Sequence, residues 1–189
     1  MTVDFRAETT QKELCNDYDE MRAAIEKNIA EHDRHVQMIP RFNEDGTVQA
    51  HNKTGNTMMD FAYTVGNYET HGTPEIITFY PGAKSAHFAL NCVSRMMAAE
   101  YCPIPTEVGQ LLTIENMFEG PAKVYVYKAN AWMMHQLSNE YTCQCDDNAE
   151  VLVMLMEYPN GQMDRCAPGF LSPEPETFGT FDAKIGNQG

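Results

Sequence analysis

Between Tyr63 and Asn91 the chain gathers side chains able to hold a small molecule: Tyr63, Thr64, Tyr68, Glu69, His71, Glu75, His87 and Asn91, with Gly66 among them. Hydroxyl, carboxylate, imidazole and amide groups together suit a neutral or mildly charged ligand with several hydrogen-bonding edges, such as a nucleoside, nucleotide or sugar derivative. The residues expected to bind it are Tyr63, Thr64, Gly66, His71, Glu75, His87 and Asn91. Gly66 permits an unusual φ or close backbone approach, and Pro74 stiffens the chain before Glu75. The same residues also fit a purely structural role, with Gly66 and Pro74 as turn residues and Glu75 bonding backbone amides.

Turnover would need more. Glu75 with His71 or His87 could form the acid–base pair of a hydrolase or transferase, and a cysteine beside a histidine could act as nucleophile. No spacing singles out one such pair. The chain has no G-x-S-x-G elbow, P-loop, G-x-G-x-x-G or H-E-x-x-H, so binding without catalysis is the expectation, with no cofactor. Cys143-Gln-Cys145, with Cys166 and His135, carries zinc-ligating atoms. One C-x-C and a distant cysteine is weaker than paired C-x-x-C units, and no metal is expected.

The elements that must position these groups follow from periodicity. Thr10-Gln-Lys-Glu13 has capping-box spacing, and Leu14, Tyr18, Met21, Ile25 and Ile29 then form an apolar stripe, predicting a helix over about 11–31. Alternation over His35 to Ile39 predicts a strand, Asp45-Gly46 a type I′ hairpin, and Thr47 to His51 its return strand. Phe61 to Val65 and Ile76 to Tyr80 read as strands joined by a polar loop. A helix follows Gly82, with Ala86, Leu90, Val93 and Met97 on its core face and His87, Asn91, Ser94 and Ala98 on an adjacent one. Cys102-Pro-Ile-Pro105 should stop it. Gln110 to Met117 and Lys123 to Ala129 read as strands around a turn, the second with valines on one face and tyrosines on the other, one face being buried. A short helix is expected over Ala131 to Tyr141, and Val151 to Met156 reads as a strand covered on both faces.

A chain of 189 residues suffices for one domain without staples. Its 13 Lys and Arg against 27 Asp and Glu give a net charge of -14, which disfavours direct binding to nucleic acid or anionic membranes. Solubility is the ordinary use of such charge; a basic protein partner, or inhibition by mimicry of nucleic acid, is the alternative, with clusters at Asp17 to Glu20 and Asp146-Asp147. No apolar stretch is long enough to span a bilayer, and the N-terminal residues lack an apolar signal region, so a cytoplasmic location with mostly free thiols among the 6 cysteines is expected.

Asp60-Phe-Ala-Tyr-Thr-Val-Gly66, Pro74-Glu-Ile-Ile-Thr-Phe79, Leu90-Asn91 and Val151 to Gly161 together resemble the domain of unknown function 4262, found in bacteria and some bacterial viruses. The likeness covers about 34–170. Where that family usually reads W-P-D-x-x-G, this chain has Glu157-Tyr-Pro-Asn-Gly161, with Tyr158 for the Trp and Asn160 for the acid. The resemblance implies a compact α+β domain whose shared polar positions are Tyr63, Thr64, Gly66, Glu75 and Asn91. It names no activity; sequestration of a host signalling molecule would fit a viral member.

The expectation is therefore one α+β domain over 1–171, with a mixed, largely antiparallel sheet flanked by an N-terminal and a central helix. A Pro/Gly-rich tail over 172–189 would lie on the surface or on a neighbouring subunit. That tail, with Met96 and Met97, points to a homo-oligomer.

Overall fold

In the computed structural model, residues 11–50, 58–80, 82–102, 104, 109–115, 120–128, 150–157 and 179–180 are described, without side chains at 11–18 and 179–180. The expected helix over Ala131 to Tyr141 and the thiols Cys143, Cys145 and Cys166 lie outside them. The order is α1 (Gln11–His32), β1 (His35–Pro40), β2 (Met59–Val65), α2 (Asn67–His71), β3 (Glu75–Thr78), α3 (Ala83–Ala98), β4 (Gln110–Ile114), β5 (Ala122–Lys128), β6 (Val151–Met156) and β7 (Gly179–Thr180). The protein is an α+β domain. Among the described residues the strands form one seven-stranded sheet in the order β1-β2-β3-β6-β5-β4-β7. The β3/β6 and β4/β7 pairs are parallel, and the rest are antiparallel.

Strand alternation divides the core in two. Ala62, Ile76, Val124, Val126, Leu152, Met154 and Met156 pack with Ala86, Leu90, Val93 and Met97 of α3. Tyr63, Ile77, Tyr127, Val151, Val153 and Leu155 project from the other face and pack with Ile25, Met21 and Ile29 of α1. Every residue of β6 is buried, as a continuous apolar run at the centre of a sheet covered on both sides requires. Burying a side chain as large as Leu90 or Met154 contributes about 2 kcal/mol.

Several local expectations are corrected. β5 buries both its valine and its tyrosine face, because a helix covers each side of the sheet. The Asp45-Gly46 turn is not type I′, since only Gly46 has positive φ (81°). Instead Gly46 N–H donates to the Asn43 carbonyl at 2.9 Å and Asn43 N–H to that of Thr47 at 2.8 Å, a three-residue loop closed by a left-handed glycine. Asp45 is drawn out of the left-handed region because its carboxylate accepts from the Thr47 amide and hydroxyl. The described part of the return segment forms no regular strand but makes a Phe42/Val48 bridge, with Gln49 N–H donating to the Arg41 carbonyl at 2.7 Å and Met58 N–H to the Gln49 carbonyl at 2.8 Å; β2 is the ladder partner of β1. α3 ends at Ala98, before the prolines: with Glu100 left-handed (φ 56°), the amides of Glu100 and Tyr101 bond back to Met97 and Met96 at 3.0 and 2.8 Å, the pairing of a Schellman cap.

The features taken as signs of a neighbouring subunit are used within the chain. Met96 and Met97 are buried in its own core, and Gly179–Thr180 of the tail pairs with β4. No described helix is long and apolar enough to cross a membrane.

The loop expected between β2 and β3 contains a short helix, α2, entered through Gly66 at φ 100° and left through Gly72 at φ 66°. A Cβ on Gly66 would lie 2.8 Å from Ile29 Cγ1. Gly66→Ala therefore combines backbone strain with a clash against α1 and should destabilise the fold by about 3 kcal/mol. Urea unfolding would check this; a cost within experimental error would show that the turn relaxes freely.

Candidate functional site

The chain turns from α1 into β1 through Asp33, which adopts φ 66° and returns its N–H to the Ile29 carbonyl at 2.8 Å. That turn delivers Arg34 beneath α2. Arg34 is 5% exposed, and its Nε donates to Asn67 Oδ1 at 3.0 Å. Asn67, fully buried, donates through Nδ2 to Ser94 Oγ at 2.9 Å, Thr64 Oγ1 at 3.1 Å and the Pro74 carbonyl at 3.3 Å. Thr64 Oγ1 also accepts from the Ile76 amide and donates to Glu75 Oε2, at 2.8 and 2.7 Å. Glu75 Oε1 accepts from the amides of Gly66 and Tyr68 at 2.9 and 3.2 Å. One buried polar network thus ties β2, α2, β3 and α3 to the residue that leads into β1.

Electrostatics within it are dominated by burial. Desolvation pushes the Glu75 carboxyl up to about 7, against the downward pull of the Thr64 hydroxyl and the Tyr68, Gly66 and Asn67 amides. Arg34 is held below the ordinary arginine value by burial first and the Arg95 charge second, with Asp33 and Glu75 acting in the opposite direction. Neither Arg34 nor Arg95 forms an ion pair among the described residues.

Next to this network, at the β1 end of the described sheet, lies an open cavity of about 480 Å³ where the end of α1, β1 and the flank of α3 meet. Arg34, Arg95, His32, His35 and His87 supply its basic groups, and Asn28 and Asn91 its amides. Val36, Met38, Phe88 and Cys92 form apolar wall, and no Asp or Glu lines it among the described residues. Both His35 nitrogens are engaged: Asn28 Nδ2 donates to Nδ1 at 2.9 Å, which leaves Nε2 to donate to Gln37 Oε1 at 3.1 Å. The arginines carry the permanent charge of the lining. Asn91 Nδ2 bonds the His87 carbonyl at 2.9 Å, one turn back on α3.

The expected site residues divide accordingly. His87 and Asn91 line the cavity. Thr64, Gly66 and Glu75 meet one another, but as a closed hydrogen-bonded cluster behind it. Tyr63 points to the opposite face of the sheet, where it stacks on Phe61 with ring centroids 6.1 Å apart. His71 is exposed at the end of α2 and does not line the cavity. Glu75 bonds to neither His71 nor His87, so the acid–base pair considered for a hydrolase or transferase is not assembled. Cys92 faces the cavity, but burial raises its thiol pKa despite Arg95, which weakens it as a nucleophile. Among the described residues no group of His, Cys, Asp and Glu could hold a metal.

Arg34, Asn67 and Arg95 escaped the sequence reading. Their signals were slight: Arg34 follows a helix-ending residue, Asn67 follows the glycine of a turn, and Arg95 adjoins the face of α3 that carries Asn91 and Ser94. Comparison of the chain with protein-family models, curated proteins and solved structures finds no match.

Proposed function

We propose that the protein binds a small polar, nucleotide-like metabolite in the cavity between α1, β1 and α3, and holds it without turnover. The observation that carries this reading is a cavity of about 480 Å³ with no acid among its described lining residues, in a chain of net charge -14. Acids are plentiful in the chain, yet none lines this cavity among the described residues, so Arg34 and Arg95 remain available to a ligand. The volume falls within the range of small-molecule sites, about 300–1,000 Å³. The Asn28 and Asn91 amides and His87 offer hydrogen-bonding edges, and Phe88, 43% exposed, offers a ring against which a planar group can stack. Holding without turnover is favoured because Glu75, the carboxyl of the buried network beside the cavity, is enclosed by its own donors.

Native mass spectrometry of the purified protein, compared with its denatured mass, tests the reading. The expected result is a noncovalent mass excess of a few hundred daltons that disappears in Phe88→Ala combined with Asn91→Ala. A mass excess unaffected by those substitutions would place the ligand elsewhere. If the protein carries nothing, titration with a panel of nucleosides and nucleotides should still give binding that the double substitution weakens about tenfold or more; no binding from the panel would refute the proposal.

A further inference from the structure

We propose that the ligand is held by a phosphate group, as a phosphate monoester or diphosphate, seated between Arg34 and Arg95. The inference rests on the cavity being a ligand site and adds the chemistry of its charged end. A guanidinium as buried as Arg34 normally has a carboxylate beside it, because an unpaired charge removed from water is costly. Among the described residues Arg34 has the neutral oxygen of Asn67 on its Nε and no ion pair, the Asp33 and Glu75 carboxylates favouring its charge from beyond pairing distance. Its position is nevertheless imposed: Asn67 is anchored in turn by Ser94, Thr64 and Pro74. The fold therefore holds a cation facing a cavity whose described lining has no acid, ready for an anion from outside.

Arg95 extends from α3 into the same cavity, one residue after Ser94, and no described carboxylate pairs with it either. Like charges on adjoining walls repel and are stabilised by an anion placed between them. A carboxylate saturates one planar guanidinium through a paired hydrogen bond, whereas a phosphate offers more oxygens and up to a second negative charge, matching a pair of arginines. His35, with both nitrogens engaged inside the protein, leaves this recognition to the arginines. Val36, Met38 and Phe88 then receive the less polar part of the ligand.

The test is calorimetric titration of the full chain at pH 7.5 with inorganic pyrophosphate, inorganic phosphate and acetate, repeated on Arg95→Ala and Arg95→Lys. Arg95 is exposed, so its replacement leaves the buried network intact, and circular dichroism confirms folding of each variant. Pyrophosphate should bind more tightly than phosphate and acetate not measurably. Arg95→Ala should weaken pyrophosphate about tenfold or more, and Arg95→Lys should weaken it less, by keeping the charge while losing the planar fork. Equal binding to wild type and Arg95→Ala, acetate binding as tight as phosphate, or no binding of either phosphate probe would each overturn the phosphate seat.

A parallel titration with an uncharged nucleoside, followed by the His87 imidazole proton resonances, separates the two levels of inference. Nucleoside binding that shifts His87 while pyrophosphate fails would leave the cavity as a ligand site and remove only the phosphate seat. Failure of both probes would remove both.

Discussion

Asn67→Ala is expected to destabilise the fold by about 4 kcal/mol, a large loss for a polar residue. The reason is the number of groups that depend on one amide. Its Oδ1 accepts from Arg34, while its Nδ2 serves Ser94, Thr64 and the Pro74 carbonyl. Truncation leaves a buried guanidinium nitrogen and a buried carbonyl without these partners, at about 1–3 kcal/mol each and more for the charged group. Thr64 is less affected, because its hydroxyl still accepts from Ile76 and donates to Glu75. Asn67→Asp keeps an acceptor for Arg34 but loses the donors and brings a second carboxylate toward Glu75, so it should also be destabilised and should recover on acidification. Urea unfolding measures both. A loss below about 1 kcal/mol for Asn67→Ala would mean that water replaces the amide and that the network is wetter than its burial implies.

Stability should fall as pH rises from 5 to 8, with Glu75 responsible for up to about 3 kcal/mol of the change. The carboxyl titrates near 7 in the folded protein against an ordinary 4.5. Between those values the folded state retains a proton that the unfolded chain has released, so raising the pH favours unfolding. Below the unfolded value the contribution is fully present; above the folded value it is lost. Glu75→Gln, which imitates the protonated acid, should match wild type near pH 5 and exceed its stability near pH 8. A difference between the two that stays constant across that range would show that the Thr64 hydroxyl and the surrounding amides hold Glu75 ionised throughout. The comparison also isolates Glu75, because every other titratable group is common to both proteins.

Much of the architecture was legible from periodicity. The faces of α3 were assigned correctly, because the spacing that puts Ala86, Leu90, Val93 and Met97 in one row is the spacing that buries them together. The unbroken apolar run of β6 likewise required cover on both sides. Where local rules competed the outcome was less readable. Asp45-Gly46 satisfies the pattern of a type I′ turn, but the Asp45 carboxylate found the Thr47 amide and hydroxyl and chose another turn. Met96 and Met97 looked like surface for a partner, yet the sheet beneath α3 is wide enough to bury them both.

The candidate site separates the two kinds of information most clearly. Sequence by itself determined that His87 and Asn91 share a helix face, and that Thr64, Gly66 and Glu75 lie on one strand–turn–strand unit, because these are relations within a few turns or one hairpin. It took the assembled fold to show that Thr64, Gly66 and Glu75 close on each other behind the cavity, that Tyr63 belongs to the opposite core, and that Arg34 and Arg95 open into one space with no carboxylate among its described lining residues. The physical reason is that side-chain periodicity records which face of an element is buried, but not which other element covers it. Arg34 and Arg95 meet only because β1 takes the edge of the sheet beside α3, a matter of strand order that no local pattern encodes.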